Sequence, residues 1–146
     1  MPKIEFTIPG EPTGKGRPKF SSVAGRVNAR TPDETVMYEN YVKMQYMDAA
    51  GQATSRMFGD DEQIAMTVKA YYKIPKSVSK KKRQAMVDNT TRPTKKPDAD
   101  NILKIIADSL NEITYRDDSQ IVDASVSKYY SDVPRVEVTL KSRWMY

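Results

Sequence analysis

Residues 63–74, QIAMTVKAYYKI, alternate between apolar and other side chains, and this stretch decides the fold. Every second side chain of a strand points to the same side of a sheet, so the pattern predicts a strand with one buried face. Pro75 ends the strand because it cannot donate a backbone hydrogen bond to a neighbour. The predicted buried face consists of Ile64, Met66, Val68, Ala70, Tyr72 and Ile74.

Patterns on both sides of this strand predict the remaining elements. Ile4, Phe6 and Ile8 alternate as in a strand, whereas residues 10–32 are rich in Gly, Pro and basic side chains and predict a loop. Two strands are expected at 121–130 and 135–141, joined by a short turn, and helices at 32–51, 77–87 and 101–113. This order predicts one α/β (α+β) domain over residues 1–146, with a small mixed sheet of about four strands and two to three helices packed on it.

The composition restricts the available chemistry. The chain has 146 residues but no Cys and no His, which excludes disulfides, thiolate nucleophiles, His-ligated zinc and histidine acid–base catalysis. An enzyme of this composition has to use carboxylate, Lys, Arg, hydroxyl or Tyr side chains, and carboxylates favour a hard metal ion. Residues 10–15, GEPTGK, are one residue short of a phosphate-binding loop, so no nucleotide cofactor is expected.

No apolar run reaches the length that spans a membrane, and the N-terminal residues MPKIEFTIPG lack the apolar core of a signal peptide. We therefore expect a cytoplasmic protein with no membrane partner.

Positive charge is concentrated in two blocks of the sequence. The net charge is +5, but residues 1–30 carry a net +4 and residues 69–104 a net +8, and both other segments are net negative. This distribution favours a face that binds a polyanion, although a solvated Lys-rich surface is the simpler alternative. The Lys80–Arg83 run is open to both interpretations.

The segment 95–104, KKPDADNILK, holds the most informative side chains. If the backbone after Pro97 is extended, Asp98 and Asp100 point the same way and repel each other unless a cation lies between them. Oxygen ligands in a small site suit Mg²⁺ or Mn²⁺. The alternative is that one aspartate caps the following helix while the other interacts with the helix dipole.

Two further features of the sequence help to distinguish a metal site from a helix cap. On the predicted helix, Asn101, Lys104 and Asp108 lie opposite the apolar face, so Lys104 projects near the two aspartates. A second acidic pair, Asp117 and Asp118, precedes the strand at 121–130, where a loop can direct a carboxylate towards the start of the helix. Asp117 is also compatible with an ordinary turn.

The pattern D-x-D-N-x-x-K, followed by an amphipathic helix and then D-D-x-Q before a strand, resembles the RusA-type Holliday-junction resolvases, small endonucleases common in prophages. The resemblance extends to the N-terminal strand and to the basic loop GKGRPKF at residues 14–20. The matching residues are Asp98, Asp100, Asn101, Lys104, Asp117, Asp118 and Gln120.

The resemblance implies a Mg²⁺-dependent homodimer, with Mn²⁺ as a possible substitute, that cuts four-way DNA junctions symmetrically in recombination and repair. It implies that Asp98, Asp100 and Asp118 hold the metal and that, together with Lys104, they are catalytic. Three ligands of one Mg²⁺ should converge to about 4–6 Å between carboxylates. The basic residues expected to contact DNA phosphates are Lys15, Arg17, Lys19, Arg92, Lys95 and Lys96.

Other assignments remain open at this point. A non-catalytic basic DNA-binding protein would use the aspartates as helix caps, and a D-x-D transferase would need more room for a nucleotide domain than this chain provides. Phe20 is either a wedge at the junction centre or a locally packed side chain. For the dimer contact, the apolar strand face at 64–74 is favoured over the Met- and Tyr-rich helix at 33–50.

Overall fold

The computed structural model describes residues 2–52 and 55–143. The sheet and helices of this part are built from segments close to those that the sequence predicts. In chain order they are β1 (Lys3–Pro9), β2 (Lys19–Val23), β3 (Arg26–Arg30), α1 (Asp33–Ala49), β4 (Ile64–Lys73), α2 (Lys80–Val87), α3 (Ala99–Ser109), a short 3₁₀ helix (Asp118–Gln120), β5 (Ile121–Ser131) and β6 (Arg135–Ser142).

The main sheet has the strand order β1-β6-β4-β5. β4 pairs in parallel with β5 and antiparallel with β6, and β1 pairs antiparallel with β6. β5 and β6 are consecutive in sequence, yet β4 lies between them. The parallel pair β4–β5 needs a long connection, and α2 and α3 lie within it. The predicted mixed sheet of four strands with helices is confirmed.

Helices cover one face of this sheet. The alternating apolar residues of β4 are buried, as the pattern predicts, and they belong to one core cluster with side chains of α1, α3, β1 and β6. From the helices this cluster takes Val42, Tyr46, Ile102, Ile105, Ile106 and Ala107. Because the apolar face of β4 is buried inside the chain, the expectation that it forms the dimer contact is wrong.

Residues 10–32, expected to be a loop, contain a β-hairpin. β2 and β3 pair antiparallel and form a separate two-stranded sheet. Ala24 and Gly25 connect them with φ values of 52° and 77°, and positive φ at both positions is the geometry of a tight two-residue hairpin turn. Ala-Gly is not the usual Asn-Gly or Asp-Gly signal, so the sequence pattern does not indicate this hairpin.

The helix ends differ from expectation by a few residues. α2 begins at Lys80 rather than near Ser77, because the hydroxyl of Ser79 caps it by accepting a 3.2 Å hydrogen bond from the backbone N–H of Lys82. α3 begins two residues earlier than predicted and ends at Ser109. Among the helices of the described residues, none combines the length and the apolar character that crossing a membrane requires.

Candidate active site

The two aspartates of the D-x-D segment lie at the start of α3. Asp98 is the N-cap residue, with extended backbone angles, and Asp100 is in the first turn. The Asp98 carboxylate makes no capping hydrogen bond to the helix. Both aspartates are exposed. The interpretation of Asp98 as a structural cap therefore lacks the hydrogen bond that would define it.

Tyr72 of β4 fixes the backbone that leads into these aspartates. Its hydroxyl donates a 2.6 Å hydrogen bond to the carbonyl oxygen of Pro97. Burial raises the pKa of Tyr72 to about 12, and the negative charges of Asp98 and Glu11 add to this shift. Tyr72 is thus a neutral hydrogen-bond donor at neutral pH, and it holds the segment next to the sheet.

Lys104 lies one helical turn after Asp100, on the exposed side of α3. Among the described side chains it forms no ion pair. Its ammonium group is therefore available to an external anion.

The glycine-rich loop at residues 14–17 packs between α3 and α1. The backbone N–H of Lys15 donates to the carbonyl oxygen of Asn101 at 3.0 Å, and that of Gly16 donates to the Thr35 hydroxyl at 3.1 Å. A Cβ atom on Gly14 would lie 2.9 Å from Cβ of Pro97, and one on Gly16 would lie 2.5 Å from Oγ1 of Thr35. Glycine is required at both positions because the backbone approaches its neighbours so closely.

This packing brings the two basic blocks of the sequence together. A groove of about 640 Å³ runs between the loop and the start of α3. Arg17 from the first block and Lys96 from the second line it, and both are exposed. The full lining is Pro12, Thr13, Gly14, Lys15, Arg17, Lys96, Pro97, Asp98 and Asn101. A positively charged path therefore leads directly to Asp98.

Lys15 differs from Arg17 of the same loop, because its side chain points inward whereas Arg17 is exposed. Its ammonium group lies 2.9 Å from Oε2 of Glu39 on α1 and 3.2 Å from Oδ2 of Asp108 on α3. Burial lowers the pKa of Lys15, but the hydrogen bonds to both carboxylates outweigh burial, and the net pKa lies above its usual value.

The two acidic residues after α3, Asp117 and Asp118, have different roles. Asp117 caps the 3₁₀ helix by accepting a 2.9 Å hydrogen bond from the backbone N–H of Ser119. Hydrogen bonds from the hydroxyl and the backbone N–H of Ser119 lower the pKa of Asp117. The Gln120 side chain closes the same capping box and also donates to the carbonyl oxygen of Gly59 at 2.7 Å. Asp117 is therefore the turn residue that the simpler interpretation expects.

Asp118 faces α3 rather than the 3₁₀ helix. Its backbone N–H donates to Oδ1 of Asn111 at 2.8 Å, and its carboxyl lies near that of Asp108. Burial raises the pKa of Asp118, and the contact with Asp108 and the charge of Asp117 raise it further. Asp108 and Glu39 had no predicted role, although the 101/104/108 spacing already placed Asp108 on the Lys104 side of the helix.

The expected convergence of Asp98, Asp100 and Asp118 is not found. Within residues 2–52 and 55–143, no three acidic side chains lie close enough together to hold one metal ion. The carboxylates instead form two groups, with Asp98 and Asp100 at the start of α3 and Asp108 and Asp118 towards its end. The oxygen donors of both groups suit a hard cation such as Mg²⁺.

The basic residues before Asp98 lie against the edge strand β5. Nε of Arg92 donates to the carbonyl oxygen of Lys128 at 2.7 Å, and the guanidinium carbon lies 4.3 Å from the ring centre of Tyr129. The Lys128 ammonium donates to the carbonyl oxygen of Lys95 at 2.7 Å. The linker is thus fixed to the sheet, and Lys95 and Lys96 are exposed beside the groove.

Three other predicted positions have distinct surroundings. Phe20 is 71% exposed on the hairpin, so it is not locally packed. Arg83 of the basic run forms an ion pair with Asp132, which gives this residue a structural partner. The backbone of Lys19 belongs to β2, but its side chain lies outside the described part of the structure.

The fold and this site define a class: a small α/β protein in which a basic groove leads to exposed carboxylates at the start of a helix. The family model for the endodeoxyribonuclease RusA matches residues 9–141. The chain therefore belongs to the RusA endodeoxyribonuclease family. It is also similar to "Uncharacterized protein YqaN" of Bacillus subtilis (strain 168), with 41% identity over 143 residues, 97% of each chain.

Proposed function

We propose that this protein is a Mg²⁺-dependent endodeoxyribonuclease that resolves four-way DNA junctions by paired phosphodiester hydrolysis, in recombination and repair. The observation that carries the proposal is the groove, in which Arg17 and Lys96 lie beside Asp98. A carboxylate next to a phosphate-binding groove repels the ligand unless a cation accompanies it. Membership of the RusA family supports the same reaction.

Asp98, Asp100 and Asp118 are the proposed metal ligands, with Mn²⁺ as an alternative to Mg²⁺. Because they form two groups, Asp98 and Asp100 would hold one ion, and Asp118, beside Asp108, would hold a second. A bound Mg²⁺ supplies Lewis acidity towards the phosphate and lowers the pKa of a bound water. Asp98 and Asp100 are exposed and Asp98 has no capping role, so their oxygens are accessible to a cation. Lys104 is the proposed contact to the scissile phosphate, where its charge stabilises the negative charge that develops in the transition state.

The proposed DNA path follows the basic residues on both sides of the groove. Arg17 and Lys19 lie at the base of the hairpin, and Arg92, Lys95 and Lys96 lie on the linker along β5. Phosphate contacts from both sides would hold a junction arm against the start of α3. The exposed Phe20 on the hairpin is then a candidate wedge at the centre of the junction.

Junction resolution needs two cuts on strands of like polarity, so we propose a homodimer with two-fold symmetry. The outer face of α1 supplies its contact. Met37 is 71% exposed and Met44 is 54% exposed, and with Tyr38 and Tyr41 they line an apolar groove of about 660 Å³. Asp33 and Glu34 at the start of the same helix would repel DNA, which favours a protein partner.

The deciding experiment incubates the protein with a synthetic four-way junction, with and without Mg²⁺. We expect paired symmetric nicks only with the metal. Asp98→Asn and Asp100→Asn should abolish cleavage but keep or strengthen junction binding, because each removes a negative charge near phosphate. Asp61→Asn makes the same change at an exposed aspartate outside the site, and this matched control should cut normally.

Junction binding without cleavage under any divalent cation would refute the nuclease and favour a non-catalytic DNA-binding protein. Loss of binding in Asp98→Asn equal to its loss of cleavage would show that Asp98 is structural.

A further inference from the structure

Lys15 belongs to the basic loop but faces carboxylates instead of solvent. Its side chain is only 22% exposed, and its ammonium group lies between Glu39 and Asp108. Arg17, two residues further along, is exposed and lines the groove. Two basic residues of one loop thus have opposite environments.

A phosphate contact through Lys15 would be unfavourable in this environment. The ammonium group would have to leave two carboxylate partners, and those partners would then remain unpaired in a partly buried site. The combined charge of Lys15, Glu39 and Asp108 is net negative, so this position does not attract phosphate.

The contacts connect Lys15 to Asp118 through one intermediate side chain. Asp108 binds Lys15 through Oδ2. The backbone N–H of Asn111 donates to the carbonyl oxygen of Asp108 at 3.3 Å, and Oδ1 of Asn111 accepts from the backbone N–H of Asp118 at 2.8 Å, so the Asp118 carboxyl lies near that of Asp108. Two carboxylates in contact repel each other when both are ionised, and a cation beside one of them reduces that repulsion. The backbone on both sides of Lys15 is held as well, through Asn101 and Thr35.

We propose that Lys15 is a positioning residue, which neutralises Asp108 and thereby holds Asp118 at the end of α3, and that it does not bind DNA phosphate. The catalytic importance of Asp118 in this inference rests on the proposed nuclease function. The contacts of Lys15 do not depend on it. Without Lys15, Asp108 and Asp118 should move apart, and the segment 117–120 should lose its orientation towards α3.

The test compares Lys15→Met with Arg17→Met, since methionine keeps the straight apolar stem and removes the charge. For Lys15→Met we expect kcat on a four-way junction to fall at least about tenfold, with KM within about twofold, as for a group that acts on the chemical step. The salt dependence of junction binding in EDTA should not change. Arg17→Met should instead raise KM and lower the slope of that salt dependence by about one.

Two further variants separate positioning from general destabilisation. Lys15→Arg should recover much of the lost kcat, because a cation again lies between Glu39 and Asp108. Asp108→Asn should lower kcat much less than Lys15→Met, because a neutral amide does not repel Asp118. For the same reason Lys15→Met/Asp108→Asn should recover much of the kcat that Lys15→Met loses. Additive losses, or a fall in the salt slope of Lys15→Met, would overturn the proposal.

A measurement on the free protein does not depend on cleavage. Hydrogen exchange at the Asp118 amide, which is bonded to Asn111, should accelerate in Lys15→Met but not in Arg17→Met. Unchanged exchange there would refute the positioning role, whether or not the wild-type protein cuts DNA. Failure of the wild type to cut, with the exchange effect present, would refute only the nuclease proposal.

Discussion

Replacing Gly16 by alanine should detach the glycine-rich loop from the body of the protein. The new Cβ would lie 2.5 Å from Oγ1 of Thr35 and 3.0 Å from Cγ of Pro32. Neither neighbour can easily move, because Thr35 is 3% exposed and stiff at χ1, and Pro32 is a ring at the start of α1. The hydrogen bond from the Gly16 N–H to Thr35 would be strained or lost as well.

The size of the effect follows from these contacts. Overpacking at such a site costs about 1–3 kcal/mol, and the lost hydrogen bond about 0.5–1.5 kcal/mol. A destabilisation of roughly 2–4 kcal/mol should lower the melting temperature by roughly 5–12 °C for a chain of this size. If the loop moves away, the clash is relieved but the Lys15 ion pairs break, so the free energy of unfolding falls in either case.

The assay is thermal unfolding of Gly16→Ala beside Gly59→Ala. Gly59 has φ in the ordinary range, and an added Cβ would meet only Oε1 of Glu62 at 3.8 Å. That control should stay within about 0.5 kcal/mol of wild type. Thr35→Ala should relieve part of the Gly16→Ala penalty by removing the atom that clashes. A Gly16→Ala protein that melts like the control would refute the docked position of the loop.

Three further outcomes are expected. Lys104→Ala should reduce single-turnover cleavage by about 10²–10³-fold at saturating junction with little change in affinity, and a pure loss of affinity would make it an ordinary phosphate contact. Met44→Asp should give a monomer mass in light scattering. Val133→Asp, at an exposed apolar residue of the β5–β6 turn, should give the dimer mass. If both variants remain dimers, the dimer contact lies elsewhere. Tyr115→Phe should lower the free energy of unfolding by about 1–2 kcal/mol in denaturant unfolding, because the buried hydroxyl donates a 2.6 Å hydrogen bond to the Ala107 carbonyl. An unchanged free energy of unfolding would show that this bond makes no net contribution to stability.

The sequence determined the elements whose signal is local. The alternation at 63–74 and at Ile4, Phe6 and Ile8 predicts strands because side chains alternate sides of a sheet, and the structure buries those faces. The 3.6-residue pattern of α3 predicted its buried side, and it also placed Asp108 beside Lys104. The sequence predicted that Asp98 and Asp100 precede this helix in an extended segment, but only Asp98 is extended, and the helix begins at Ala99 and includes Asp100.

The tertiary structure decided everything that depends on contacts between distant segments. β4 lies between β5 and β6 in the sheet although these two strands are consecutive in sequence, and no local pattern encodes such pairing. The inward direction of Lys15 depends on Glu39 and Asp108, which lie 24 and 93 positions further along the chain and meet it only after α1 and α3 have packed. Charge in the sequence is the same for Lys15 and Arg17, and only the carboxylates that folding brings to one of them give the two residues different environments.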